Sequence, residues 1–313
     1  MFVVCGEALL DVFAGGVTAT GLALDGRVGG SPFNVALGLA RLAQPVHFFG
    51  GLSTGFLGQR LSRALSDEGV DTSAAALVDA PTTLSVVGLD ASGVPSYAFY
   101  GEQGADRRVP LGALARVPQA SAFHFGSFAM VVEPVAGTQR ALVDRERGRS
   151  FIAYDPNVRL NVEPALARWR EVLDWMVARC HLLKISEEDL SLLLPGAAPA
   201  EVAARWLAQG VALVVVTRGG EGALAWTAGC HVEVPAAPCA LVDTVGAGDS
   251  FQAALLTWLA EADALGADRV RALDAASLQS ALRFASEAAA ITCSRRGADL
   301  PRRAELARSK PSA

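Results

Sequence analysis

An α/β fold, with a mainly parallel, doubly wound sheet, helices on both of its faces and a small β-sheet lid, is what this sequence predicts, on three observations. Short apolar runs bounded by turn residues alternate with longer runs of helical period, the rhythm of strand–helix–strand units. The chain has 313 residues, 51% of them hydrophobic, enough for one large core, so residues 1–313 read as a single domain with a small appendage. Two segments, 12–30 and 82–100, break the rhythm with Gly-rich and strand-like sequence, and these supply the appendage.

The strands read in order as "MFVVCG", "PVHFFGGL", "SAFHFGS", "SFIAYDPN", "CHLLKIS" and "VALVVVTRGG". Between them "FNVALGLARLA", "FLGQRLSRALSDEG", "VAGTQRALVDRER", "ALARWREVLDWMVAR" and "PAEVAARWLAQG" read as helices. Within the first break "VFAGGVTATGLALDGRVGG" is short-stranded. Within the second, "TTLSVVGLD" and "VPSYAFY" are strands joined by a turn at "ASG". Paired, they would stand outside the main sheet as a lid that keeps water from a ligand. Only the tail "RSKPSA" reads as disordered.

A net charge of −5 disfavours a nucleic-acid partner, which usually meets a basic face. No apolar run is long enough to span a membrane, and "MFVVCGEALLDV" lacks the basic start of a signal peptide. The five cysteines contain no CxxC pair and read as reduced thiols of a cytoplasmic chain. His47, His124, His181 and His231 read as packed or surface residues, not metal ligands.

In open α/β sheets ligands collect at the C-terminal ends of strands. There stand Glu7 and Asp11; Asp155, Asn157 and Arg159; Lys184 and the "SEED" run; and Thr217, Arg218 and Gly219. The segment "DTVGAGDSFQAALL", 243–256, feeds a Gly-rich turn into a helix whose Phe251, Ala254, Leu255, Trp258 and Leu259 share a face. Gly246, Ala247 and Gly248 permit close backbone approach and would present N–H groups to an anion at the positive end of that helix. Asp249 reads either as an ordinary N-cap, with Ser250 as the alternative, or as a base taking the proton of a hydroxyl that attacks a phosphate. "GGSPFNVALGLARL", 29–42, adds a tight Gly29-Gly30 turn and places Asn34 in the first turn of the next helix. Neither GxxxxGK[ST] nor GxGxxG occurs, which argues against P-loop phosphotransferases and Rossmann dehydrogenases.

Together "GGSPFNVALGLARL" and "DTVGAGDSF" resemble the paired signature of the ribokinase-like (PfkB-type) carbohydrate kinases. The likeness runs from "GEALLDV" through "DPNVR", "KISEEDL" and "VTRGGEGA" to "SRRGADLP", nearly the whole chain. "GEALLDV", "FYGEQGADR" and "DPNVR" resemble fructokinases more than ribokinases or adenosine kinases. The resemblance implies an ATP-dependent sugar kinase acting on a primary hydroxyl, most readily that of D-fructose. Asp249 would be its base and the Gly246-Ala247-Gly248 amides its anion hole. It implies Asp11, Gly30, Asn34, Asn157 and Arg159 as the sugar side. Lys184, Thr217, Arg218, Gly219, Gly222 and Ser286 fall on the nucleotide side. It implies Mg²⁺ held through water by Glu188 and Asp189, K⁺ beside Asp243, and a homodimer formed through the lid.

Three departures bear on this, the first being that Ser286 stands where an asparagine of relatives often contacts adenine. Ser186 to Asp189 stand where many relatives carry Asn-x-x-Glu, and Gly101 stands where many sugar kinases carry a lid arginine. The missing cation argues against an acidic sugar such as 2-keto-3-deoxygluconate. A kinase of that acid or of another sugar or nucleoside, and a catalytically silent sugar-binding regulator, are the alternatives.

Overall fold

The computed structural model describes residues 1–89 and 95–306. The turn expected at Ala91-Ser92-Gly93 and the tail from Arg308 lie outside the described residues. In chain order the strands are β1 (Phe2–Cys5), β2 (Leu9–Val17), β3 (Leu22–Gly29), β4 (Val46–Phe49), β5 (Gly51–Ser53), β6 (Ala76–Val78), β7 (Leu84–Leu89), β8 (Pro95–Tyr100), β9 (Ala122–Gly126), β10 (Phe151–Asp155), β11 (Leu182–Ser186), β12 (Leu213–Thr217), β13 (Ala223–Trp226) and β14 (His231–Val234). The helices are α1 (Ser31–Arg41), α2 (Phe56–Asp67), α3 (Val135–Glu146), α4 (Leu166–Val177), α5 (Glu187–Leu193), α6 (Pro199–Ala208), α7 (Ala247–Glu261), α8 (Ala267–Arg271) and α9 (Ala275–Cys293).

The main sheet has eight strands in the order β14-β13-β12-β11-β10-β9-β1-β4. From β4 to β12 every pair is parallel; β13 and β14 extend it as an antiparallel edge. Parallel strands need both faces covered, and β1 does this residue by residue. Phe2 and Val4 join the core cluster that holds residues of α1, α7 and α9. Val3 and Cys5 join the cluster holding those of α3, α4 and α6. Trp169 and Trp206 are fully buried in the second cluster. Among the described residues no helix is long and apolar enough to cross a membrane.

The two breaks in the rhythm form a separate four-stranded sheet, β3-β2-β7-β8. It begins earlier than the expected boundary at 12, because β2 starts at Leu9 and carries Asp11 within it. Two features of the last third differ from the sequence reading. The helix after the Gly-rich turn is not amphipathic: in α7 every residue from Asp249 to Leu259 is buried. It is sandwiched between α1 and α9, so a one-sided apolar stripe understates its role. Its N-cap is Gly246, in the left-handed conformation at φ 79°, and neither Asp249 nor Ser250 caps it. Ser250 instead shares a hydrogen bond with Thr292 of α9.

Candidate active site

The contact of α1 with α7 builds the centre of the site. Gly38 faces Ala253 so closely that a Cβ on Gly38 would lie 2.7 Å from the Ala253 Cβ. One helical turn toward the N-terminus of each helix brings Asn34 opposite Asp249. Asn34 Nδ2 donates to Asp249 Oδ2 at 2.8 Å, and Ser31 Oγ donates to Oδ1 at 2.7 Å. Asn157 Nδ2 in turn donates to Ser31 Oγ at 2.9 Å. Asp249 is 6% exposed. Burial pushes its carboxyl above the ordinary aspartate range, against the pull of the Ser31 and Asn34 donors.

Asp249 lies in the wall of a cavity of about 610 Å³. From the lid side Asp11 enters it, along with Ser85 of β7 and Phe99 of β8. Gly30, Asn34, Asn157 and Arg159 also line it. Gly30 adopts φ 106°, and a Cβ there would meet the Glu7 carbonyl oxygen at 2.9 Å, so the turn before α1 requires glycine. Asn157, also at positive φ, turns the chain after β10 so that Arg159 sits at the mouth. Among the described residues Arg159 has no carboxylate within ion-pair distance, and its Nη1 donates to the Val158 carbonyl at 2.9 Å.

On the opposite side the cavity is lined by Lys184, Glu188, Asp189, Thr217, Gly246 and Gly248. Lys184 is 2% exposed; its Nζ pairs with Asp155 Oδ2 at 2.7 Å. A Cβ on Gly248 would lie 3.8 Å from that Nζ, so the ammonium stands beside the Gly-rich turn. Asp189 accepts from the Val158 N–H at 3.3 Å, and burial with the neighbouring Asp155 charge raises its carboxyl to about 6. Ser186, in the place of the asparagine of many relatives, caps α5: its Oγ accepts from the Asp189 N–H at 3.0 Å.

Six other candidates lie outside the cavity lining. The N–H of Ala247 is directed to the Thr244 carbonyl at 3.2 Å. The Arg218 guanidinium is paired with Glu233 of β14 and Glu221. Gly219 is exposed beside it, and Gly222 is a packing glycine, since a Cβ there would lie 2.0 Å from the Val234 carbonyl oxygen. Ser286 is buried in α9. The Asp243 carboxylate accepts from the Val245 N–H at 3.1 Å and the Gly297 N–H at 2.8 Å, joining two loops. Ser31, Ser85, Phe99 and Phe128 line the cavity with no role assigned to them by the sequence. Ser31 was legible, because it lies inside the "GGSPFN" motif between Gly30 and Asn34. Phe99 and Phe128 were not, because their edge-to-face contact at 5.7 Å joins the lid to the turn that follows β9.

A buried carboxylate beside N–H groups at a helix start is suited to take a proton from a hydroxyl while the amides hold an anion. Comparison with known proteins agrees with that class of chemistry. Residues 4–304 match the model of the pfkB family carbohydrate kinases. A fructokinase of Rhizobium leguminosarum bv. trifolii is 36% identical over 285 residues, covering 89% of this chain and 86% of that one. The crystal structure of a Xylella fastidiosa fructokinase with bound ATP superposes with a TM-score of 0.83 at 27% identity, over 97% of this chain and 94% of that one. A Vibrio cholerae O395 fructokinase holding fructose, ADP and calcium ion gives 0.78 at 26% identity, over 95% of this chain and 94% of that one. The chain belongs to the pfkB family of carbohydrate kinases. It is a phosphotransferase with an alcohol group as acceptor.

Proposed function

We propose that this chain is a fructokinase, a single domain with a lid, that transfers the γ-phosphoryl group of ATP to the 6-hydroxyl of D-fructose. The observation that carries the reading is the Asp249 carboxylate, held by Ser31 and Asn34 in the cavity wall at the first turn of α7. The sugar hydroxyl gives its proton to Asp249 as its oxygen attacks the γ-phosphorus. The bond from that phosphorus to the β–γ bridging oxygen breaks, and ADP leaves with the electron pair. Backbone N–H groups at the Gly246–Gly248 turn, whose glycines 246 and 248 line the cavity, stabilise the charge on the moving phosphoryl group. Lys184 supplies a cation at the same edge. Thr217 lies along the nucleotide, while Asp11, Gly30, Asn34, Asn157 and Arg159 hold the sugar.

Mg²⁺ suits the carboxylates of Glu188 and Asp189, since that ion is commonly held by one or two carboxylates, substrate phosphates and waters; bound there, it would neutralise phosphate charge. Asp243 keeps lone pairs for a K⁺ ion beside the turn. A neutral sugar is favoured because the lid brings no arginine from position 101, where Gly101 is packed so that a Cβ would lie 2.6 Å from Thr83 Cγ2. The relative named fructokinase in Rhizobium and the fructose-bound neighbour support the choice of sugar. The five free cysteines suit a reducing cytoplasm.

The test is a substrate panel under reducing conditions, with ATP and Mg²⁺ and with either K⁺ or Na⁺. Fructose is expected to give the highest kcat/KM, and K⁺ a higher rate than Na⁺. A clear preference for 2-keto-3-deoxygluconate or ribose overturns the choice of sugar. ATP and sugar binding without phosphoryl transfer would make the chain a silent binder.

The lid is also proposed to form a homodimer. On its strands Val17, Leu22 and Leu24 are 88%, 53% and 60% exposed, and since Val17 stands opposite Leu22 with Leu24 two residues along the same face, they form one apolar patch of the kind that marks a protein contact. Sedimentation velocity is expected to give a dimer that Leu24→Glu dissociates; a wild-type monomer at all concentrations rejects it.

A further inference from the structure

Two buried polar side chains of the cavity region take no part in the hydrogen bonding of the base. Glu7 lies just past the C-terminal end of β1 and Ser127 just past that of β9, and these strands are parallel neighbours with Cys5 opposite Phe125. Continuing that register sets Glu7 beside Ser127. Each is 1% exposed, and Glu7 Oε2 and Ser127 Oγ have no hydrogen-bond partner. Glu7 lines the cavity, as does Phe128, the neighbour of Ser127. Buried polar atoms without partners are uncommon, because each forfeits its hydration for nothing.

The backbone adds an independent sign. Ser127 has φ 57° and ψ −162°, a region essentially confined to glycine and costing on the order of 1–3 kcal/mol for other residues. The chain around Glu7 is equally constrained. A Cβ on Gly6 would meet Pro32 Cγ at 2.3 Å, and a Cβ on Gly50 would meet the Gly6 carbonyl oxygen at 2.1 Å. A strained backbone therefore holds the Ser127 hydroxyl against the Glu7 carboxyl, whose Oε2 is left without a partner, on rigid strand ends beside the cavity that Glu7 lines. This is the expected form of a group kept for a ligand at the expense of stability.

We propose that Glu7 and Ser127 together bind a hydroxyl of the sugar, and so help set the specificity of the kinase for uncharged sugars. The inference rests on the carbohydrate-kinase reading of this cavity. The pair supplies one carboxyl and one hydroxyl, able between them to donate to and accept from a sugar –OH. Loss of such a bond from a site built for it is a strong discriminator. Burial raises the Glu7 carboxyl to about 8, opposed by the Ser127 hydroxyl and the Arg159 charge and reinforced by that of Asp106. Because the folded value lies above the unfolded one, the contribution of Glu7 to stability is greatest at acid pH and is lost as pH rises toward 8.

The experiment compares Glu7→Gln, Glu7→Leu and Ser127→Gly with the wild type, on whichever sugar the wild type accepts best. Failure of the fructose assignment then leaves this test intact. Glu7→Leu and Ser127→Gly are each expected to raise KM for the sugar about tenfold, the loss of one hydrogen bond, with KM for ATP within about twofold. Glu7→Gln, which keeps a donor and an acceptor, is expected to stay much nearer the wild type. Ser127→Gly, relieved of strain, and Glu7→Gln, relieved of the charge, are expected to melt at or above the wild-type temperature, the Gln variant more clearly at pH 8 than at pH 5. Unchanged sugar KM with lower melting temperatures would make the pair structural and overturn the proposal. An equal rise in KM for ATP would also overturn it. Should Glu7→Leu fail to fold, the other two variants decide.

Discussion

Asp249→Asn is expected to reduce kcat by about 10²- to 10⁴-fold, the range contributed by a positioned general base, while ATP still binds. Both groups that touch the carboxylate are donors, Ser31 Oγ and Asn34 Nδ2. An amide in its place turns its own N–H toward one of them. The Ser31 hydroxyl can rotate to accept, so the variant is expected to fold. Steady-state rates with calorimetric titration of ATP separate the two effects, and near-normal turnover would remove Asp249 from the role of base. The sign of the pH dependence follows from burial. With its carboxyl held above the ordinary range, the wild type gains the active carboxylate as pH rises through that value. Its kcat/KM therefore climbs with pH on the acid side, and the Asn variant is expected to lack that limb.

Lys184→Met is expected to destabilise the fold by on the order of 3–5 kcal/mol, the usual result of stranding one member of a buried ion pair. Its partner Asp155 would remain as a charge with a side chain only 4% exposed. The double variant Lys184→Met, Asp155→Asn is expected to recover much of that loss, because no lone charge is left. Thermal denaturation of the single and double variants checks this. If the single variant melts with the wild type, the pair is not held as tightly as its 2.7 Å separation implies. Activity is expected to stay low in both, since neither returns a cation to the edge of the Gly-rich turn.

The fold and the site were legible in the sequence to different depths. Strands β1, β4, β9, β10, β11 and β12 stand out because a parallel strand buried on both faces must be apolar throughout. The edge strands β13 and β14 were missed: four residues each, half of β14 facing water, they carry too short a pattern to register. That omission bears on the surroundings of Arg218. Expected along the nucleotide, it is paired with Glu233 of β14, a neighbour that the sequence reading did not contain. In α7 the stripe of apolar residues suggested one buried face, whereas α1, α9 and the main sheet, where Gln252 meets His124 of β9, all pack against the helix, a fact that depends on neighbours and not on period. Glu7 stood in plain view at a strand end but without a role. Its meaning depends on Ser127, 120 positions away, which reaches it only because β1 and β9 pair.

What the sequence by itself determined was local: the alternation of strand and helix, and the glycine-bearing turns before Asn34 and Asp249. These follow from backbone freedom, side-chain period and helix ends, all set within a few residues. Which side chains meet was decided only by the tertiary structure. The approach of Gly38 to Ala253 places Asn34 on Asp249, and the order of the parallel strands puts Glu7 beside Ser127 and Lys184 against Asp155. Such pairings need close packing of segments far apart in the chain, and no local pattern encodes the partner.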